Sequence, residues 1–327
     1  MIVEEKQVNI KRSGQFKERE FTIKASAQAF DILSSKLYSD VVLAIIRELS
    51  TNAWDAQVEA GTTDRAFQVH LPNRFEPHFS IRDFGTGLSQ EDVQELYTQY
   101  FGTTKSKSNA YTGCLGLGSK SPFAYTDNFT VISFYNGTKS TYSAFKGETG
   151  FPTIALMGET KTDEHNGLEI IISVKQDDYR DFEHKARGMF SFFPIHPEVE
   201  GVANFNDTLP VPYMEGKNWA LYTKDYRDVT ATMGNIGYPV ETYKVGNNPL
   251  LRNYRTGLVL HFGIGDLVIA ASRESLHYSV KTINKINERM LEVQAELLAS
   301  FQQKIDAHDN KWDARLEKLK IVEAFNN

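Results

Sequence analysis

The chain has 327 residues, 41% apolar and 24% charged, and its 36 Lys and Arg against 42 Asp and Glu give a net charge of −6. That length suits about two domains and buries ~75% of the unfolded surface, so folding needs no disulfide or metal. The mild acidity lacks the footprint of a general nucleic-acid binder, the one cysteine excludes an intrachain disulfide or Cys-based zinc site, and the eight His form no HExxH or HxxxH pair.

In chain order, residues 1–25 are polar with scattered Val, Ile and Phe, the pattern of an irregular arm. Helices are expected from Ser26 to Leu33 and from Val41 to Ala60, the second with Asp40 as N-cap and Gly61 at C′. Short alternating runs at Ala66–Leu71 and His78–Arg82, divided by Pro72, Asn73 and Pro77, read as strands. Residues 83–121 are rich in Gly, Ser, Thr and Lys and read as a long loop region, of a length that is usually functional or disordered. Strand patterns return at Phe129–Tyr135, Ser140–Phe145 and Leu168–Val174, followed by a helix over Phe182–Phe193 and Pro-, Asn- and Gly-punctuated strands to about Ala270.

From Lys281 to the end there is no Gly or Pro, and Ile283, Ile286, Met290, Val293, Leu297, Phe301 and Ile305 mark one helical face. Such a stripe packs on its own domain or on a partner helix. The pattern gives an α+β chain divided at 1–175, 176–280 and a C-terminal amphipathic helix over 281–327. No apolar run nears the ~20 residues of a membrane helix, and the N-terminus has no basic-then-apolar signal layout. The expectation is a soluble protein of a reducing cytoplasm.

Three segments carry chemistry. Within Arg47–Ala56 (RELSTNAWDA), Glu48, Asn52 and Asp55 are spaced four and three apart and share a helix face. Two carboxylates and an amide beside an apolar stripe suit a pocket floor, and equally a solvated stripe on an amphipathic helix. Asp83-Phe84-Gly85-Thr86-Gly87 places an acceptor and two glycines directly after a strand. That lets a flat ligand approach the backbone closely, although a Gly-rich turn has the same composition.

The third, Gly113-Cys114-Leu115-Gly116-Leu117-Gly118-Ser119-Lys120-Ser121-Pro122-Phe123, is dense in backbone N–H groups able to wrap an anion. A short helix starting near Ser121 would add its positive end, and Lys105, Lys107 and Lys120 add charge. Neither GxGxxG nor the P-loop spacing is met, because Gln90 and Ser119 occupy the deciding positions. The segment is thus a phosphate cradle of another kind, or a flexible loop.

In their order and spacing these segments resemble the GHKL ATPase superfamily, which includes type II topoisomerases, MutL proteins, ninety-kilodalton chaperones and histidine kinases. The resemblance covers residues 38–175. It implies a GHKL (Bergerat) α/β sandwich that binds ATP, then a smaller transducer-like α/β domain and a long C-terminal helix. It further implies that Glu48 is the general base, Asn52 the Mg²⁺ ligand and Asp55 with Ala56 part of the same helix signature.

Asp83 then takes the adenine amino group and Gly85 and Gly87 flank the base. Gly113, Gly116, Gly118, Ser119 and Lys120, with Lys105, belong to the lid over the triphosphate. An intact Glu48 favours hydrolysis over phosphotransfer. The chain departs from the family pattern at Asn166-Gly167-Leu168-Glu169, where relatives often carry a phosphate-side Thr.

Ser272-Arg273-Glu274 looks like the chaperones' loop whose arginine reaches the γ-phosphate, a task suited to a planar, permanently charged fork. A helix-start Ser with a surface Arg–Glu pair gives the same letters. Over about residues 20–290, through Arg47–Ala56, Arg82–Leu88, Gly116–Thr126 (GLGSKSPFAYT) and Ile269–Leu276, with Ser119–Phe123 especially characteristic, the chain resembles the rIIA rapid-lysis family of tailed bacteriophages.

That likeness implies slow Mg-dependent ATP hydrolysis, ADP release, lid closure and nucleotide-dependent homodimerisation. It also implies a bacterial or phage protein partner in the host cytoplasm. Two other readings are a nucleotide-gated interaction module with negligible turnover, and a MutL- or topoisomerase-like DNA-associated ATPase.

Overall fold

The computed structural model describes residues 26–34, 38–99, 118–223, 228–246, 256–270 and 272–326. Two compact units emerge, Met1–Lys185 with Pro197–Val202, and Ala186–His196 with Ala203–Asn327. Both contain a mixed sheet and helices, so the chain is α+β.

In the first unit, α1 (Ala27–Ser34) precedes α2 (Val41–Ala60). The Asp40 side chain caps α2 by accepting from Leu43 N at 3.0 Å, and Gly61, at φ +71°, closes it in the left-handed region that glycine tolerates. Lys185 donates to both Asp40 and Asp181 at 2.7 Å. Burial works against its charge, but the two carboxylates outweigh it and hold its pKa above the usual value.

Seven strands form the sheet: β1 (Gln68–His70), β2 (His78–Arg82), β3 (Asn128–Tyr135), β4 (Thr138–Lys146), β5 (Pro152–Lys161), β6 (Gly167–Ser173) and β7 (Glu198–Glu200). Their order is β5-β4-β3-β6-β2-β1-β7, with β1 and β7 parallel and the other pairs antiparallel. Alternation along β2 puts Phe79 and Ile81 on one face and Ser80 and Arg82 on the other. Phe79 meets Phe182 of α4 (Tyr179–Phe190), ring centroids 5.1 Å apart, and α2 packs against β2 and β6. Full burial of side chains such as Phe79, Ile45 and Ile172 contributes about 1.5–3 kcal/mol each.

Two elements of this first unit depart from the expected pattern. Within the segment read as loop lies α3 (Gln90–Thr98), started by a capping box in which Ser89 and Asp92 bond each other's backbone amides. Its Val93 and Tyr97 are buried. Strand β5 is also additional; it lies at the sheet edge with most of its side chains open, so its sequence lacks the alternation of a half-buried strand.

The second unit holds β8 (Met214–Gly216), β9 (Trp219–Thr223), β10 (Val229–Met233), β11 (Ile236–Pro239), the single turn α5 (Thr242–Val245) and β12 (Thr256–Phe262). The sheet order is β11-β10-β12-β9-β8, with only β10 and β12 parallel. Along α6 (Val280–Asp306), Ile286, Met290, Val293 and Leu297 are buried, matching the apolar face of the sequence pattern.

The tail is not one helix. It breaks after α6 and restarts as α7 (Lys311–Asn326), because Asn310 Oδ1 accepts from Trp312 N at 3.0 Å and Asp313 N at 2.8 Å. A polar cap ends and restarts the backbone without Gly or Pro.

Candidate functional site

The sequence singles out residues on α2, at the end of β2 and in the 3₁₀ segment Gly118–Ala124, all in the first unit. The structure brings several of them together. Glu48 and Asn52 sit one turn apart on α2, and the Gly118 backbone lies directly against them. A Cβ on Gly118 would stand 2.7 Å from Glu48 Oε2 and 3.3 Å from Asn52 Nδ2. Glycine lets the loop approach the carboxylate and the amide closely, and a larger residue would have to displace the end of the Glu48 side chain.

Glu48 is 3% exposed, and its Oε1 accepts from Arg47 Nε at 3.3 Å. A buried carboxylate of this kind is tolerated because a neighbouring cation compensates it. The α2 backbone is braced beside it, where Thr51 Oγ1 donates to Arg47 O at 2.8 Å and Ser50 Oγ to Ile46 O at 2.5 Å. Asp55 is buried on the same helix.

Asp83 continues the line of β2, its N–H donating to Leu168 O at 2.9 Å. Its Oδ1 accepts from Gly85 N at 2.9 Å and from Leu168 N at 3.2 Å, so two backbone amides fix the carboxylate's orientation. Gly85 presses on α2, where a Cβ would come within 2.8 Å of Ala56 Cβ. Gly87, at φ +72°, brings its backbone against Phe134 O. The α2 C-terminus is tied to the same turn: Gln57 Nε2 donates to Thr62 O at 3.0 Å, and Thr62 Oγ1 donates to Phe84 O at 3.0 Å. One helix thus carries Glu48 and Asn52 against Gly118 and, two turns on, Ala56 against the Asp83 turn.

The 3₁₀ segment starts at Gly118, three residues before the expected helix start, with Ser119, Lys120, Ser121, Pro122 and Phe123 buried. Lys120 Nζ donates to Leu96 O at 2.5 Å, placing its ammonium on a carbonyl in the last turn of α3. Burial pushes its pKa down to about 8. Ser121 Oγ is buried with no hydrogen-bond partner among the described residues. Lys105, Lys107, Gly113 and Gly116 lie outside the described residues.

Arg273 belongs to the second unit. It is buried at φ +61°, with its N–H donating to Ala270 O at 2.9 Å inside the turn closed by the Ile269–Leu276 bridge.

Sequence reasoning missed Arg82. Its pKa is lowered, by burial first of all, with Asp83, Glu169 and Glu164 opposing the fall and Arg65 adding to it. Beside its neighbours Asp83 and Phe84, its partners His165 and Phe134 come from the turn before β6 and from β3, which no local pattern reveals.

Among the described residues no three His, Cys, Asp or Glu gather to hold a metal, and no helix is long and apolar enough to cross a membrane. Comparison with models of protein families and with curated proteins gave no match.

Proposed function

We propose that the first unit binds Mg-ATP and hydrolyses it slowly, with a GHKL-type division of labour among its residues. The observation that carries this reading is the seating of Gly118 against Glu48 and Asn52, on the helix whose Ala56 backs the Asp83 turn. Two features of the cradle support this reading. Gly118 stands where the backbone closes on the carboxylate and the amide, and an oriented acid stands at the other end.

In this reading Asp83 accepts the adenine amino group; a guanine carbonyl in its place would be repelled. Asn52 supplies the hard oxygen ligand for the divalent ion. Bound there, the ion would neutralise phosphate charge and stabilise the departing oxygen. Glu48 orients the water and accepts its proton as the water oxygen bonds to the γ-phosphorus, the bridging P–O bond breaks, and ADP keeps that electron pair. Arg47 holds Oε1, which fixes the carboxylate for that task.

Asp83→Asn tests the base end. The variant keeps an acceptor for the Gly85 and Leu168 amides but offers an NH₂ where the adenine amino group needs an oxygen. An unsatisfied pair of this kind costs about 2–3 kcal/mol, so ATP affinity should fall ~30- to 150-fold in titration calorimetry. Wild-type affinity in the variant would rule out Asp83 as the base acceptor.

A further inference from the structure

Asp83 is held from behind as well as by the amides at its own carboxylate. Arg82, next to it and on the opposite face of the sheet, is 6% exposed. Its Nη1 donates to Asp83 O, and its Nη2 donates to His165 O at 2.5 Å, just before β6. The guanidinium lies 3.9 Å from the Phe134 ring centroid and 5.0 Å from that of Phe84. Gly167, at φ +144°, leaves the space in which Nη1 and Asp83 O meet, since a Cβ there would strike both.

The partners of this fork define a geometry. One arm fixes the residue that bears the carboxylate. The other fixes the turn leading into Leu168, whose N–H is one of the two donors to Asp83 Oδ1. A planar fork with two separate N–H arms can hold two carbonyls at a set spacing, which a single ammonium cannot. Strand alternation keeps Arg82 off the face that carries Asp83.

We propose that Arg82 is a positioning residue for base selection, clamping the ends of β2 and β6 so that Asp83 presents its acceptor at a fixed angle to adenine. The inference rests on the ATP reading above and goes beyond it by locating the control of nucleobase choice on the far side of the sheet. Arg82 does not contact nucleotide. Its loss acts on the base end of the site and leaves α2, with Glu48 and Asn52, in place.

The test compares full-length wild type, Arg82→Met and Arg82→Lys, measuring binding of Mg-ATP and Mg-GTP by calorimetry and phosphate release at saturating ATP. Met keeps the packing between the two rings without the hydrogen bonds. It should lower the ATP-over-GTP preference about tenfold, raise KM for ATP to match, and leave kcat within about threefold. Lys, able to reach one carbonyl, should fall between Met and wild type.

A general loss of structure would weaken both nucleotides alike and lower kcat. An unchanged ATP-over-GTP ratio in Arg82→Met overturns the inference. Should that variant fail to fold, an unchanged ratio in Arg82→Lys does the same. If wild type binds ATP with a clear preference and the variants retain it, the inference alone falls. If wild type binds neither nucleotide, the ATP reading falls and takes the inference with it.

Discussion

Substituting Gly118 by alanine adds one methyl group against the polar side chains of Glu48 and Asn52. The new Cβ would stand 2.7 Å from Glu48 Oε2, 3.3 Å from Asn52 Nδ2 and 3.6 Å from Glu48 Cβ. The carboxylate has little freedom to give way, because Arg47 Nε holds Oε1 at 3.3 Å and both side chains are 3% exposed. Overpacking of this kind costs about 1–3 kcal/mol.

Against it stands a gain of about 0.4–1 kcal/mol, because alanine restricts the unfolded chain more than glycine does. The net expectation is a loss of up to ~2.6 kcal/mol, centred near ~1.3, or a fall in Tm of roughly 3–5 °C at that centre for a domain of this size. Turnover should suffer more than stability, since a displacement of ~1 Å in a reacting geometry can cost ~100-fold. Thermal unfolding and phosphate release on the same preparation read both effects. A Gly118→Ala variant as stable as wild type, with unchanged turnover, would show that the loop does not seat on Glu48.

Two further outcomes follow from the same unit. Lys120 should make stability pH-dependent, because burial lowers its pKa from 10.5 to about 8 in the folded chain. The folded state then releases its proton before the unfolded state does, so the cost of burying the charge is full below pH ~8 and fades as pH rises towards 10.5. Urea unfolding of wild type against Lys120→Met should show wild type gaining up to about 3 kcal/mol across that window, and a flat difference would contradict the burial of the ammonium. Asp40→Ala removes the cap on Leu43 N and one partner of Lys185, costing about 1–2 kcal/mol in thermal unfolding. Asp40→Asn, which keeps the cap, should lose less, and equal losses would assign the effect to the ion pair.

The limits of the sequence reading have physical causes. Helix α2 was legible at both ends because its stop and start signals are local: a capping Asp40 and a left-handed Gly61. The pairing of Glu48 with Asn52 was legible because a spacing of four fixes neighbours on any helix. Helix α3 was hidden by the Gly, Ser and Thr around it, although Ser89 and Asp92 carry a capping box and Val93 and Tyr97 the buried face. Strand β5 gave no alternation because it lies at an edge.

The break between α6 and α7 escaped a search for Gly and Pro because Asn310 makes it through its side chain. Arg82 escaped for a different reason. Its role depends on His165 and Phe134, brought to it by the pairing of β6 with β2 and β3, and no local pattern encodes that.

Phosphate release from Mg-ATP by wild type and Glu48→Gln, with ATP affinity measured on both, tests the proposed hydrolysis at its central residue. Gln keeps the size of the side chain and removes the proton acceptor. Wild type should release phosphate slowly, and the variant should keep ATP affinity within about threefold while its release falls ~100-fold or more. Wild-type release rates from Glu48→Gln would contradict the assignment of Glu48 as the base on which the proposed hydrolysis depends.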